Sequence, residues 1–165
     1  MTSRPSAHLV RVALGLAVAG CAASSTIIAP DLPSGGLPLN EQAITPGATA
    51  RRVATIGDYG LEEVIDVPAT ARAGEPITVG VATYGGGCIR EDTTVVTVRG
   101  SQAEVVPYQL VYTPKADEGC TLNLRINARK VSVTFAAAGS AAVVIRGRTS
   151  REGDPATIVR AVDVR

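Results

Sequence analysis

From Arg52 to the C-terminus, apolar residues fall at every second position in short runs, and glycine or proline breaks each run. A period of two puts alternate side chains on opposite faces of a strand, and a helical period fits these runs no better. Leu61, Ile65 and Val67 share one parity, and Ala73-Gly74-Glu75-Pro76 ends that run. Ile77, Val79 and Val81 follow, then the β-branched stretch Thr93 to Arg99. Val106, Tyr108, Leu110 and Tyr112 line the next run, in which Pro107 predicts an edge or bulged strand. Leu122, Leu124 and Ile126 alternate with Asn123, Arg125 and Asn127, as Val131, Val133 and Phe135 do with Ser132 and Thr134. Val143 and Ile145 continue the pattern, and Ile158 to Val164 closes it. The expectation is an all-β fold over residues 53–165: an antiparallel β-sandwich of seven to eight strands around a thin core of Val, Ile, Ala and one Phe.

The chain before Arg52 lacks this period. Ser24-Ser25, Pro30, Pro33-Ser34-Gly35-Gly36 and Pro38 predict a flexible tether over residues 21–52, since proline and glycine at this density oppose both helix and central strand. Residues 1–20 carry the parts of an export signal: Arg4 and Arg11 for charge, Val12 to Val18 as an apolar core, and small Ala19-Gly20 before a cut. The apolar run is well short of the ~20 residues that span a bilayer. Val18-Ala19-Gly20-Cys21 resembles the lipobox of bacterial lipoproteins, although Val18 stands where leucine is commoner. The resemblance implies a lipid thioether on Cys21, cleavage before it, and a mature chain held on a membrane outside the cytoplasm. Ala22, rather than aspartate, follows the cysteine. By the same resemblance that implies the outer membrane where there is one, and otherwise the outer face of the cell membrane.

With Cys21 taken by lipid, Cys88 and Cys120 remain, and in an exported domain the simplest expectation is one disulfide between them. A redox-active pair is the alternative, but it favours a Cys-X-X-Cys spacing that is missing here. The single histidine, His8, lies in the signal. The mature chain therefore has no histidine for a Ser-His-Asp or Cys-His arrangement or for a His-ligated zinc. No enzyme activity, metal or cofactor is expected. Arg4 and Arg11 leave with the signal, so fourteen basic residues face fifteen acidic ones. Without a basic face, no nucleic-acid partner is expected. Arg146, Arg148 and Arg151 read as a solvated strand end.

Ile65-Asp66-Val67-Pro68 with Ala73 to Val79, and Val131 to Phe135 with Ala138 to Ile145, resemble strand pairs of bacterial immunoglobulin-like and fibronectin-III-like domains. The latter pair is similar to a late hairpin of that fold. The resemblance implies architecture only: the core tryptophan and tyrosine corner of antibody domains are missing, and the two cysteines stand near strand ends.

Thr83-Tyr84-Gly85-Gly86-Gly87-Cys88-Ile89-Arg90 is the most unusual internal stretch. Three glycines free the backbone for a sharp turn or for an anion cradle with Arg90 beside it. No phosphate-loop pattern follows. With Lys115 to Cys120 drawn alongside by the disulfide, Tyr84, Gly85, Gly86, Gly87 and Arg90 form the expected recognition edge. The acidic pairs Glu91-Asp92 and Asp117-Glu118 would approach one another there, without a calcium-loop spacing. The functional expectation is a lipid-anchored envelope protein used for binding or support, with a protein of the envelope as its partner; no small-molecule ligand can be named. An inhibitor or accessory assembly chaperone presenting the Gly85–Gly87 loop is the alternative.

Overall fold

The computed structural model describes residues 45–57, 65–149 and 153–165. The expected signal, Cys21, the tether as far as residue 44 and the Leu61–Val64 part of the first expected strand lie outside the described residues. The described residues are all-β: β1 Thr49–Val53, β2 Thr55–Gly57, β3 Ile65–Asp66, β4 Thr70–Ala71, β5 Pro76–Gly85, β6 Ile89–Arg99, β7 Gln102–Tyr112, β8 Arg125–Thr134, β9 Gly139–Thr149 and β10 Pro155–Val164. The last residues of the expected tether, Thr49 to Arg52, are thus strand.

The ten strands form one mixed sheet that does not close. Long antiparallel pairs dominate it: β5 with β8, β6 with β7, and β9 with β10. Three pairings are parallel, which corrects the purely antiparallel expectation: β7 with β9, β2 with β9, and β4 with β10. The connection explains the first. Between β7 and β9 the chain runs through β8, which among the described residues pairs only with β5, so β9 returns beside β7 in the same direction.

The N-terminal strands act as a wedge. β9 pairs with β7 only over Gln102 to Val105, after which the two diverge. β1 takes the freed edge of β7, Thr49 opposite Tyr112 to Val53 opposite Tyr108. Ala54 then bridges the gap: its N–H donates to the Pro107 carbonyl and its carbonyl accepts from Arg148 N–H. β2 continues along β9 and reaches β5 through Thr55 opposite Tyr84. Pro107, which has no N–H, stands where β7 changes partners and beside a bulge in β6 between Glu91 and Thr94. This corrects the expectation of an edge or bulged strand: the bulge is on β6, opposite Pro107, and β7 is an interior strand.

One apolar cluster joins the halves. Val79 and Val81 of β5, Val105 of β7, Val133 of β8, Val143 and Ile145 of β9, and Val162 of β10 are all buried in it, with Phe135 its one large ring. Residues from strands so far apart along the sheet meet only if it folds back on itself. The expected late hairpin is corrected by the same geometry. β8 and β9 are not paired; the turn after Phe135 carries the chain from the β5 half to the β7–β10 half. Val133 and Val143 therefore meet in the core rather than side by side. Close packing also sets Gly147, where a Cβ would lie 2.3 Å from Ile56 Cγ1.

Of the long strands, β6 and β8 have one neighbour each among the described residues. Buried Arg129 of β8 ties them together. Its Nε donates to Thr83 Oγ1 at 2.9 Å and its Nη1 to the Asp92 carbonyl at 2.7 Å and Thr94 Oγ1 at 3.4 Å. Nη2 has no acceptor among the described residues.

Candidate functional site

Cys88 and Cys120 form a disulfide, with Cα atoms 5.3 Å apart. Cys88 sits in the β5–β6 turn, where Gly86 and Ile89 form a bridge around Gly87 and Cys88. Gly87 has φ 56°, the sign a two-residue hairpin asks of its first central residue. The turn is pressed against the segment that carries Cys120. A Cβ on Gly86 would lie 1.8 Å from the Asn123 carbonyl oxygen, and one on Gly87 would lie 2.4 Å from that of Thr121. Close approach of two backbones is why glycine stands at both positions.

The same packing occupies the turn's amides. Gly86 N–H donates to the Ile89 carbonyl, Ile89 N–H to the Gly86 carbonyl, and Gly87 N–H to Asn123 Oδ1. These groups are therefore engaged internally and not turned toward an anion. Tyr84 needs a further correction. It is only 1% exposed, so it belongs to the interior of the domain and not to an open edge; in the sheet its residue pairs with Thr55 of β2. Gly85 is also buried, Gly86 and Gly87 are half-buried, and Arg90 alone of the expected edge is exposed.

Arg90 does line a cleft of about 500 Å³ beside the disulfide. Its walls are Thr49, Gly87, Cys88, Arg90, Leu110, Tyr112, Glu118 and Gly119. Strand register explains the set. Thr49 pairs with Tyr112 and Arg90 with Leu110, so these four side chains share the face of β1–β7–β6 opposite the core. The disulfide holds the segment after β7 beside that face. Glu118 fixes it further, accepting from Tyr112 Oη–H and from Lys115 N–H. The hydrogen bond to Glu118 raises the Tyr112 phenol above its ordinary range, and the same bond holds the Glu118 carboxyl below its own. The cleft thus offers an apolar floor at Leu110, a hydrogen-bonded phenol–carboxylate pair, and Arg90, which has no acidic partner among the described residues.

Another polar cluster adjoins it on the same face. Arg51 lies over the Tyr108 ring, 3.8 Å from its centroid, and donates to Asp92 Oδ2 and, at 2.6 Å, to Thr93 Oγ1. Asp92 and Thr93 occupy the bulge of β6, which turns both toward β1. The Arg51 hydrogen bond is the main reason the Asp92 carboxyl is held below its ordinary range. Of the two acidic pairs, Asp92 pairs with Arg51 and Glu118 with Tyr112, and the described residues contain no group of three acids that could hold a metal.

Sequence reasoning missed Thr49 and Arg51, because Pro and Gly upstream drew them into the tether. Tyr112 and Leu110 were read as strand but not as site. Compared with family models, with curated proteins and with solved structures, the chain matches none.

Proposed function

We propose that this chain is a lipid-anchored protein of the bacterial cell envelope, non-catalytic, which binds an envelope partner through the cleft beside Cys88–Cys120. The cleft carries the reading: a concave surface fixed by a covalent bridge on a rigid sheet, with a cation at its wall that no acid among the described residues pairs. The lipobox-like Val18 to Cys21 and the proline-rich stretch after it support the anchor and tether. The two halves of the sheet around one core support an immunoglobulin-like sandwich, β3–β5–β8 facing β6–β7–β9–β10. The inhibitor alternative is weaker, since the glycine turn it would present is packed under residues 121–123.

Two measurements test the proposal. The mass of the mature N-terminus should show a lipid-modified Cys21, and an unmodified residue there would end the anchor reading. Cross-linking in envelopes followed by capture should recover a partner that Arg90→Glu loses while the domain stays folded. Equal capture by the variant would end the role given to the cleft.

A further inference from the structure

The segment that closes the cleft continues into an exposed apolar fringe. Leu122 is 103% exposed, Leu124 49% and Ile126 53%, half of the exposed large apolar residues among the described residues, gathered within five positions. The sequence predicted these three as the buried face of a strand. The protein instead leaves them in water: Leu122 and Leu124 lie before β8, where the chain packs against the Gly86–Gly87 turn, and Ile126, within β8, stands on the face opposite Val131 and Val133.

The place of the fringe is informative. The β5–β6 turn, the end of β7, the start of β8 and the start of β1 all lie at one end of the sheet, as their registers require. The chain enters the domain there: Gly47 N–H donates to the Thr113 carbonyl, and the Lys115 stem lies against Gly47. Twenty-four residues separate Cys21 from Thr45. A flexible chain of that length has a root-mean-square reach of about 27 Å. β7 alone, with 11 residues, extends about 35 Å. On the anchor reading, the entering end is joined to the surface that holds Cys21 by the fewest residues, and the far end at Gln102 lies a further strand length along β7. Exposed Arg90, Lys115 and Arg125 flank the fringe. Of the acids at this end, Glu118 is hydrogen-bonded to Tyr112, Asp92 is paired with Arg51, and Glu91 and Asp117 are exposed.

We propose that Leu122, Leu124 and Ile126 form a second membrane contact, inserting into the lipid interface to which Cys21 is tethered. The proposal rests on the anchor reading for the presence of that surface. Its consequence is an orientation: the cleft mouth is held next to the lipid, so partners would be captured at the membrane surface.

The test separates the fringe from the anchor. The chain from residue 21 onward, with Cys21→Ser so that no lipid is attached, is mixed with vesicles of phosphatidylethanolamine and phosphatidylglycerol, and binding is read by co-sedimentation. The parent chain should bind, and Leu122→Asp/Leu124→Asp should bind at least about tenfold more weakly. Both positions lie outside the strands and are exposed; circular dichroism and the mass of the intact disulfide confirm that the variant folds. Lack of vesicle binding by the parent, equal binding by the variant, or a leucine-dependent dimer that replaces vesicle binding would each overturn the proposal. An unlipidated Cys21 in the native protein would instead overturn the anchor, a result read by mass alone.

Discussion

Replacing both bridging cysteines, Cys88→Ala/Cys120→Ala, is the most quantitative perturbation this structure offers. The bridge spans a sequence separation of 32 and encloses β6, β7 and the segment after them. In the chain-entropy account, a closed loop of this length constrains the unfolded chain by about 3.7 kcal/mol at 25 °C. A folded domain of ~120 residues unfolds with an entropy of about 0.25 kcal/mol/K, so the midpoint should fall by about 15 °C. The native state contributes as well. Without the bridge, the segment from Thr113 to Leu124 keeps only a few contacts, among them Glu118 with Tyr112 and Gly87 N–H with Asn123. It should become the first site of limited proteolysis, while the β9–β10 pair stays protected. Calorimetric or fluorimetric melting of the purified domain, with and without a dithiol reductant, gives the shift directly. A fall of less than about 3 °C in both the variant and the reduced parent would refute the argument. It would mean that the sheet holds those strands together without covalent help.

Gly147→Ala should destabilise the domain by about 1–3 kcal/mol, read by urea unfolding, because the added methyl meets Ile56 at 2.3 Å in a close-packed interior. Gly86→Ala should be worse tolerated than Gly74→Ala: both have positive φ, but only Gly86 faces a backbone oxygen, and the comparison of melting midpoints checks it. Arg129→Ala should cost about 2–4 kcal/mol by removing the donor to the Asp92 carbonyl and leaving a cavity, whereas Arg129→Met should cost less, since it loses the same donor and charge but still fills the space. The Tyr112–Glu118 bond predicts two pH effects. Glu118 has a lowered pKa, so its contribution is present above the ordinary carboxylate value and lost as pH falls through the folded value; Tyr112 has a raised one, so its contribution is lost only as pH rises through its own. Ultraviolet titration should find Tyr112 ionising late, and Glu118→Gln should return it toward the ordinary range.

Much of the strand pattern was legible. Ile77 to Val81, Thr93 to Arg99, Val106 to Tyr112, Val131 to Val133 and Ile158 to Val164 fall in strands, as alternation and β-branched residues predicted, although Leu110 and Tyr112 of the third run face away from the core. The disulfide was legible by cysteine count. The site was less so. Arg90 was found, but Tyr84 was misplaced, since a tyrosine beside glycines reads as a loop residue, whereas it lies in a buried stretch of β5. Thr49 and Arg51 carry no apolar signal, so their strand is visible only as the partner of β7.

Sequence by itself determined the secondary-structure class and the covalent staple, because alternation and cysteine number are local properties of the chain. It also carried the glycines of the β5–β6 turn, though not the reason for them. Tertiary structure decided the parallel pairing of β7 with β9, the wedge of β1 and β2 between them, and the exposure of Leu122, Leu124 and Ile126. Each depends on which distant backbone lies alongside: an alternating segment has two faces, and only its neighbours determine which of them meets water.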